Sequence, residues 1–93
     1  MSDDPLKQQF EKNKIEFVLI EIDAGHIFAG LAHDADAPEK AKRNLVNARK
    51  AYDTVCDFLL KNDIPNQAVR RQIARGVDNL KQVLLAMGEK FDD

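Results

Sequence analysis

One aspartate and two histidines in the first third of the chain come closest to a chemical site. Asp23 and His26 stand three residues apart, and a carboxylate-x-x-His pair on a helix can reach one metal ion in a helical bundle. Such a centre also needs ligands from other helices, and the rest of the chain has no histidine beyond His33, about two turns away. We expect a solvated polar edge here and no bound cofactor, with a metal site at Asp23 and His26 as the less favoured alternative.

The sequence shows no nucleophile with a neighbouring base. The single cysteine, Cys56, falls on an apolar helical stripe, which is typical of a small buried side chain. A lone cysteine forms no internal disulfide, and no glycine-rich phosphate loop is present. We therefore predict no catalytic residue and no enzymatic activity.

Length and composition describe an ordinary globular protein. The chain has 93 residues, of which 44% are apolar and 32% charged, with a formal net charge of −2. These values fit one domain over residues 1–93 and give no global attraction to nucleic acid or anionic membranes. The polar N-terminal sequence and the single cysteine favour a cytoplasmic protein without a membrane span.

Three segments have the apolar spacing of amphipathic helices, at about 4–35, 38–62 and 66–91. Asp4-Pro5 is a start signal for the first segment, and residues 36–39 resemble a capping box with Asp36 as N-cap. Connections of only a few residues make neighbouring helices run antiparallel. We predict an all-α fold, an up-down-up antiparallel three-helix bundle with a heptad-like core. The predicted core seam of the second helix is Ala41, Leu45, Ala48, Tyr52, Val55, Cys56 and Leu59. That of the third helix is Val69, Ile73, Gly76/Val77, Leu80, Leu84, Met87 and Phe91.

The first helix carries more apolar surface than a three-helix bundle needs. We expect a stripe of large residues to face the other helices, namely Leu6, Phe10, Phe17, Ile20, Ala24, Phe28 and Leu31. A second arc of mostly smaller residues lies beside it and consists of Val18, Ile22, Gly25, Ala29 and Ala32. We predict that this second arc forms the interface of a symmetric dimer. The alternative is that the third helix covers it within one chain.

Basic residues gather in the first halves of the second and third helices, where the helix macrodipole disfavours them. One explanation is pairing with nearby carboxylates, at about 0–1 kcal/mol each. The functional alternative is a surface that binds an anion or nucleic acid. Against it, the bases spread around the second helix without interleaved aromatic residues. The residues of this alternative site are Arg43, Lys50, Arg70, Arg71 and Arg75.

Residues 47–55, NARKAYDTV, resemble a segment of short, uncharacterised bacterial helical proteins. That resemblance implies a bacterial helical protein and carries no known activity, cofactor or functional residue. The favoured hypothesis is therefore a non-enzymatic protein-interaction module that forms a homodimer or binds an unidentified protein. Binding of an anion or nucleic acid is the alternative.

Overall fold

Three helices joined by short connections make up the computed structural model, which describes residues 4–92. They are α1 (Pro5–His33), α2 (Pro38–Lys61) and α3 (Gln67–Ala86), and no strand occurs between residues 4 and 92. The prediction of an all-helical chain with three helices is confirmed for this range. Each helix begins within about one residue of its predicted start, whereas α3 ends five residues early.

Side-chain caps begin two of the helices. The Asp4 carboxylate accepts a hydrogen bond from the Leu6 backbone N–H at 3.0 Å, and the Asn66 side chain accepts one from Val69 at 3.0 Å. The predicted capping box at α2 is wrong, because Ala37 is the N-cap and makes no side-chain hydrogen bond. Pro38 occupies the first helical position, so the residue directly before it becomes the N-cap. Asp36 instead forms an ion pair with Lys40 at 3.1 Å.

A glycine terminates α3 earlier than its apolar pattern predicts. Gly88 adopts φ +96, a conformation that favours glycine. Its N–H donates to the Leu85 carbonyl at 3.1 Å, and the N–H of Glu89 donates to the Leu84 carbonyl at 3.0 Å. These two bonds form a Schellman motif, which satisfies the last helical carbonyls and turns the chain away from the helix axis. Phe91 then packs edge-on against Tyr52, with their ring centroids 4.9 Å apart.

Two clusters of buried side chains hold the helices together. One consists of Val18, Ile22, Val55, Ile64 and Ile73, and the other of Ala29, Ala48, Leu80 and Leu84. Of the residues predicted for the core of α2 and α3, five are buried, namely Ala48, Val55, Ile73, Leu80 and Leu84, and the others are half-buried.

The fully buried face of α1 is the second arc, so the expected core stripe is wrong for five of its seven residues, which are exposed. Ala24 and Phe28 of that stripe are half-buried, and Phe28 packs against the core. A β-carbon at Gly25 would lie 2.5 Å from Leu80 Cδ2 and 3.4 Å from the β-carbon of Ala51. A β-carbon at this position would require the Leu80 side chain to move, so glycine lets α3 pack close to α1 here. The buried residues of α1 are Val18, Ile22, Gly25, Ala29 and Ala32.

The structure places the five residues predicted for a dimer interface inside a single chain, where they are buried. Val18, Ile22, Gly25 and Ala29 pack against residues of α2 and α3 of the same chain. Coverage by α3 was the alternative prediction for this arc. A side chain that is already enclosed within one chain offers no surface to a second copy.

Candidate interaction surface

Several large apolar residues of α1 form an exposed stripe outside the core, whereas Ile15, Leu19 and Phe28 are half-buried and pack against the core. Phe10, Ile20 and Ile27 are 64%, 63% and 62% exposed, and Phe17 and Leu31 are 40% and 50% exposed. Isolated exposed apolar residues are ordinary, whereas contiguous apolar patches mark interaction sites. We define the outer stripe as Leu6, Phe10, Asn13, Phe17, Ile20, Ala24, Ile27 and Leu31.

The outer stripe has the spacing of a coiled-coil seam. Its successive positions are separated by alternating steps of four and three residues from Leu6 to Leu31. This 3.5-residue period keeps an apolar seam facing a partner helix along its whole length, about 38 Å here. Asn13 is its one polar position, and its side-chain oxygen accepts a hydrogen bond from Gln9 at 3.0 Å. A single polar residue in such a seam sets the register between partner helices.

One long edge of the outer stripe borders α2 and is basic. The ring centroids of Phe17 and Phe58 are 5.2 Å apart, which brings this side of α1 against α2. At about 100° per residue, Arg43, Lys50 and Lys61 lie beside this edge on α2 together with Asp57, and the half-buried Glu21 of α1 lies between the stripe and α2. Lys61 forms an ion pair with Asp57 at 3.0 Å. Arg43 and Lys50 are exposed, and neither makes an ion pair with another residue in 4–92.

The opposite edge of the outer stripe is acidic. Glu16 and Asp23 lie there one heptad apart, and Asp34, the C-cap residue, follows at the C-terminal end of α1. Glu16 forms an ion pair with Lys12 at 3.9 Å, and a carboxylate oxygen of Asp34 lies 3.0 Å from His33 Nδ1. All three carboxylates belong to exposed residues. The stripe is thus an apolar band with carboxylates along one side and bases of α2 along the other.

The two histidines line a groove between the C-terminal halves of α1 and α3. The groove has a volume of about 560 Å³ and is lined in part by His26, Gly30, His33 and Val83. His33 Nδ1 lies 3.0 Å from a carboxylate oxygen of Asp34, and both side chains are exposed. No group of three or more His, Cys, Asp or Glu side chains within residues 4–92 is arranged to hold a metal ion. Asp23 and His26 therefore remain a pair without a third ligand from that range.

The five residues of the alternative anion site lie at three separate places on the protein. Arg43 and Lys50 border the outer stripe, whereas Arg71 and Arg75 point away from the buried face of α3. Arg70 lines an apolar cavity of about 330 Å³ together with Leu59, Asn62, Asp63, Ile64, Ile73 and Ala74. The structure therefore does not bring these bases together into one patch.

Arg49 joins the C-terminal segment to α2, a role that the sequence pattern did not reveal. Its guanidinium bonds to Asp53 at 3.1 Å, to Glu89 at 3.2 Å and to the Lys90 carbonyl at 2.8 Å. The guanidinium carbon also lies 4.1 Å from the Phe91 ring centroid, a cation–π distance. Burial lowers the pKa of Arg49, but Asp53 and Glu89 outweigh it and hold that pKa above its ordinary value.

Only the Arg49–Asp53 part of this cluster has a sequence signal, the i,i+4 spacing of opposite charges on a helix. Glu89 and Phe91 lie some forty residues further along the chain, and no local pattern connects them to Arg49.

Comparison with known proteins adds no further assignment. No family model, curated protein or solved structure matches this chain. Within residues 4–92, none of the helices combines the length and apolar character that crossing a bilayer requires.

Proposed function

We propose that this chain is a non-enzymatic protein-association module that binds through the outer stripe of α1. The observation that carries the proposal is a row of large apolar side chains, exposed and spaced as a coiled-coil seam. Water contact with such a row is unfavourable, and a partner helix removes it without changing the fold.

The size of the outer stripe supports this function. At their observed exposures, its six large side chains present roughly 500–700 Å² of apolar surface. That value reaches the upper end of the largest patches found on monomeric proteins, about 300–600 Å². Two such stripes in contact would bury roughly 1,000–1,400 Å², above the approximately 1,000 Å² that a specific interface needs.

We further propose that the chain follows an up-down-up path. Two contacts between α1 and α2, Phe17 with Phe58 and Gly25 with Ala51, support an antiparallel pair, because one number rises as the other falls. Gly25 also faces Leu80, and Ile22 faces Gly76, so the numbers on α1 and α3 rise together. These contacts support α3 running parallel to α1.

A cytoplasmic location belongs to the same proposal and is supported by the composition of the chain, with its single cysteine. The resemblance of residues 47–55 supports a bacterial origin. Separation of the basic residues onto different surfaces gives no comparable support to nucleic-acid binding.

The proposal is tested by making the outer stripe charged while leaving the core intact. The test variant is Ile20→Glu with Ile27→Glu, and the matched control is Leu60→Glu, a position on α2 that is 87% exposed. Sedimentation velocity between 1 and 100 µM reports self-association. Affinity chromatography of extract from the source organism on each immobilised protein reports other partners.

We expect the wild type and the Leu60→Glu variant to self-associate or to retain another protein. The double variant should do neither. Circular dichroism should show the same helix content in all three proteins. A wild-type protein that stays monomeric and retains no protein dependent on the outer stripe would refute the proposed function.

A further inference from the structure

We propose that the outer stripe binds the outer stripe of a second copy of this chain, with the two α1 helices parallel and in register. This inference rests on the proposed function and identifies its partner. The seam spacing calls for a partner helix with the same 3.5-residue period. The outer stripe is itself such a seam, so two copies satisfy each other's geometry.

Charge on the two edges of the outer stripe decides the orientation. When two copies stack their stripes in parallel, the two-fold axis runs along the helices, and the left edge of one meets the right edge of the other. The basic edge formed by α2 then faces the acidic edge of the second copy, and this occurs twice.

An antiparallel pair has the opposite electrostatics. Its two-fold axis runs across the helices, so the basic edge meets the basic edge and the acidic edge meets the acidic edge. Like charges facing each other across an interface disfavour that arrangement. The structure therefore favours the parallel pair.

The heights of the charges along the helices agree with a parallel pair in register. Phe17 faces Phe58, and Gly25 faces Ala51. A residue of α1 and a residue of α2 at the same height along the helix axis therefore have numbers that add up to 75 or 76. Lys50 then lies at the height of residues 25–26 of α1, about 4 Å from the height of the second copy's Asp23. On the same basis Arg43 lies about 2 Å from the height of the second copy's Asp34.

Charge reversal tests the pairing of Lys50 with the second copy's Asp23. A Lys50→Glu chain opposes two carboxylates in its own dimer, and an Asp23→Lys chain opposes two lysines. A mixed dimer of these two chains instead has opposite charges at both contacts. At low salt we expect each variant alone to dimerise about five- to thirtyfold more weakly than the wild type, and the mixture to form mainly mixed dimers.

Native mass spectrometry distinguishes the mixed dimer from the two homodimers by mass, and Arg71→Glu on the outer face of α3 serves as the control for net charge. A statistical mixture of dimers, or a Lys50→Glu chain that dimerises more tightly than the wild type, would overturn the parallel arrangement. The second result is the one an antiparallel pair produces.

Disulfide crosslinking tests the register independently of charge. Ile20→Cys and Ile27→Cys are introduced singly in a Cys56→Ser chain, and each protein is oxidised under mild conditions. In a parallel pair in register, both positions face themselves and both chains crosslink to dimers. In an antiparallel pair, at most one of these positions, about 10 Å apart along the helix, can lie at the two-fold axis.

A wild-type protein that remains monomeric at 100 µM overturns this inference alone. The proposed function fails only if the monomeric protein also retains no other protein through the outer stripe. The two failures are therefore distinguishable.

Discussion

Gly25 is the position where a single added methyl group reports which face of α1 lies in the core. A β-carbon there would stand 2.5 Å from Leu80 Cδ2 and 3.3 Å from Leu80 Cδ1. Leu80 is buried, so its side chain has little room to move away. Gly30, five residues later on the same helix, has no such neighbour within 4 Å and provides the matched control.

The expected magnitudes follow from two opposing effects. Replacing a helical glycine with alanine stabilises a protein by about 0.5–1 kcal/mol, because alanine loses less backbone entropy on folding. Overpacking a well-filled core costs about 1–3 kcal/mol. We therefore expect Gly30→Ala to raise the free energy of unfolding by about 0.5–1 kcal/mol and Gly25→Ala to lower it by about 0–2 kcal/mol.

Urea unfolding followed by circular dichroism measures both variants against the wild type. Each curve is recorded at two protein concentrations, because association would add to the apparent stability of all three proteins. If Gly25→Ala were stabilised as much as Gly30→Ala, α1 would not approach Leu80 closely, and the assignment of its buried face would be wrong.

Three further predictions concern the attachment of the C-terminal segment and the helix caps. Arg49→Ala should lower the free energy of unfolding by about 1–3 kcal/mol, through lost hydrogen bonds and the contact with Phe91. Because the pKa of Arg49 is raised on folding, its contribution is lost only in strongly alkaline solution, so the effect should be equal at pH 6 and pH 9. Asn66→Ala should cost about 1 kcal/mol by removing the cap of α3, and a normal stability would contradict that role. Ala37→Asp should stabilise by about 0.5–1 kcal/mol by supplying the cap that α2 lacks, and thermal unfolding checks both cap variants.

The helices were predictable because their signals are local. Apolar spacing indicates a helix wherever it occurs, and Asp4-Pro5 indicates where one begins. The end of α3 was placed too late because the apolar pattern continues through Met87 and Phe91 after the helix has ended. Gly88 was the available signal, since glycine commonly follows a helix.

The buried face of α1 was not predictable from residue size. Two apolar arcs adjoin each other on this helix, and the larger side chains on one of them have the greater hydrophobicity. Packing favours the other arc, because Gly25, Ala29 and Ala32 let the neighbouring helices come close to its backbone. That preference depends on the shape of the partner side chain, Leu80, which lies 55 residues away in the sequence.

The exposure of the outer stripe follows from the same packing preference, which buries the arc that contains the small residues. The excess of apolar residues on α1 was visible in the sequence, and so was its implication of a second contact. Which arc remained exposed depended on the tertiary packing. The basic edge of the outer stripe also depends on it, because Arg43 and Lys50 reach that edge only through the position of α2 beside α1.

Isoleucine methyl spectra test most directly whether the outer stripe is the surface through which the protein associates. Ile20 and Ile27 lie on the exposed stripe, whereas Ile22 and Ile73 are buried in the core and serve as internal controls. Spectra are recorded on the wild type at 5 and 200 µM. We predict chemical-shift changes with concentration at Ile20 and Ile27 and none at Ile22 and Ile73. Unchanged Ile20 and Ile27 methyls, or changes at Ile22 and Ile73 alone, would contradict association through the outer stripe.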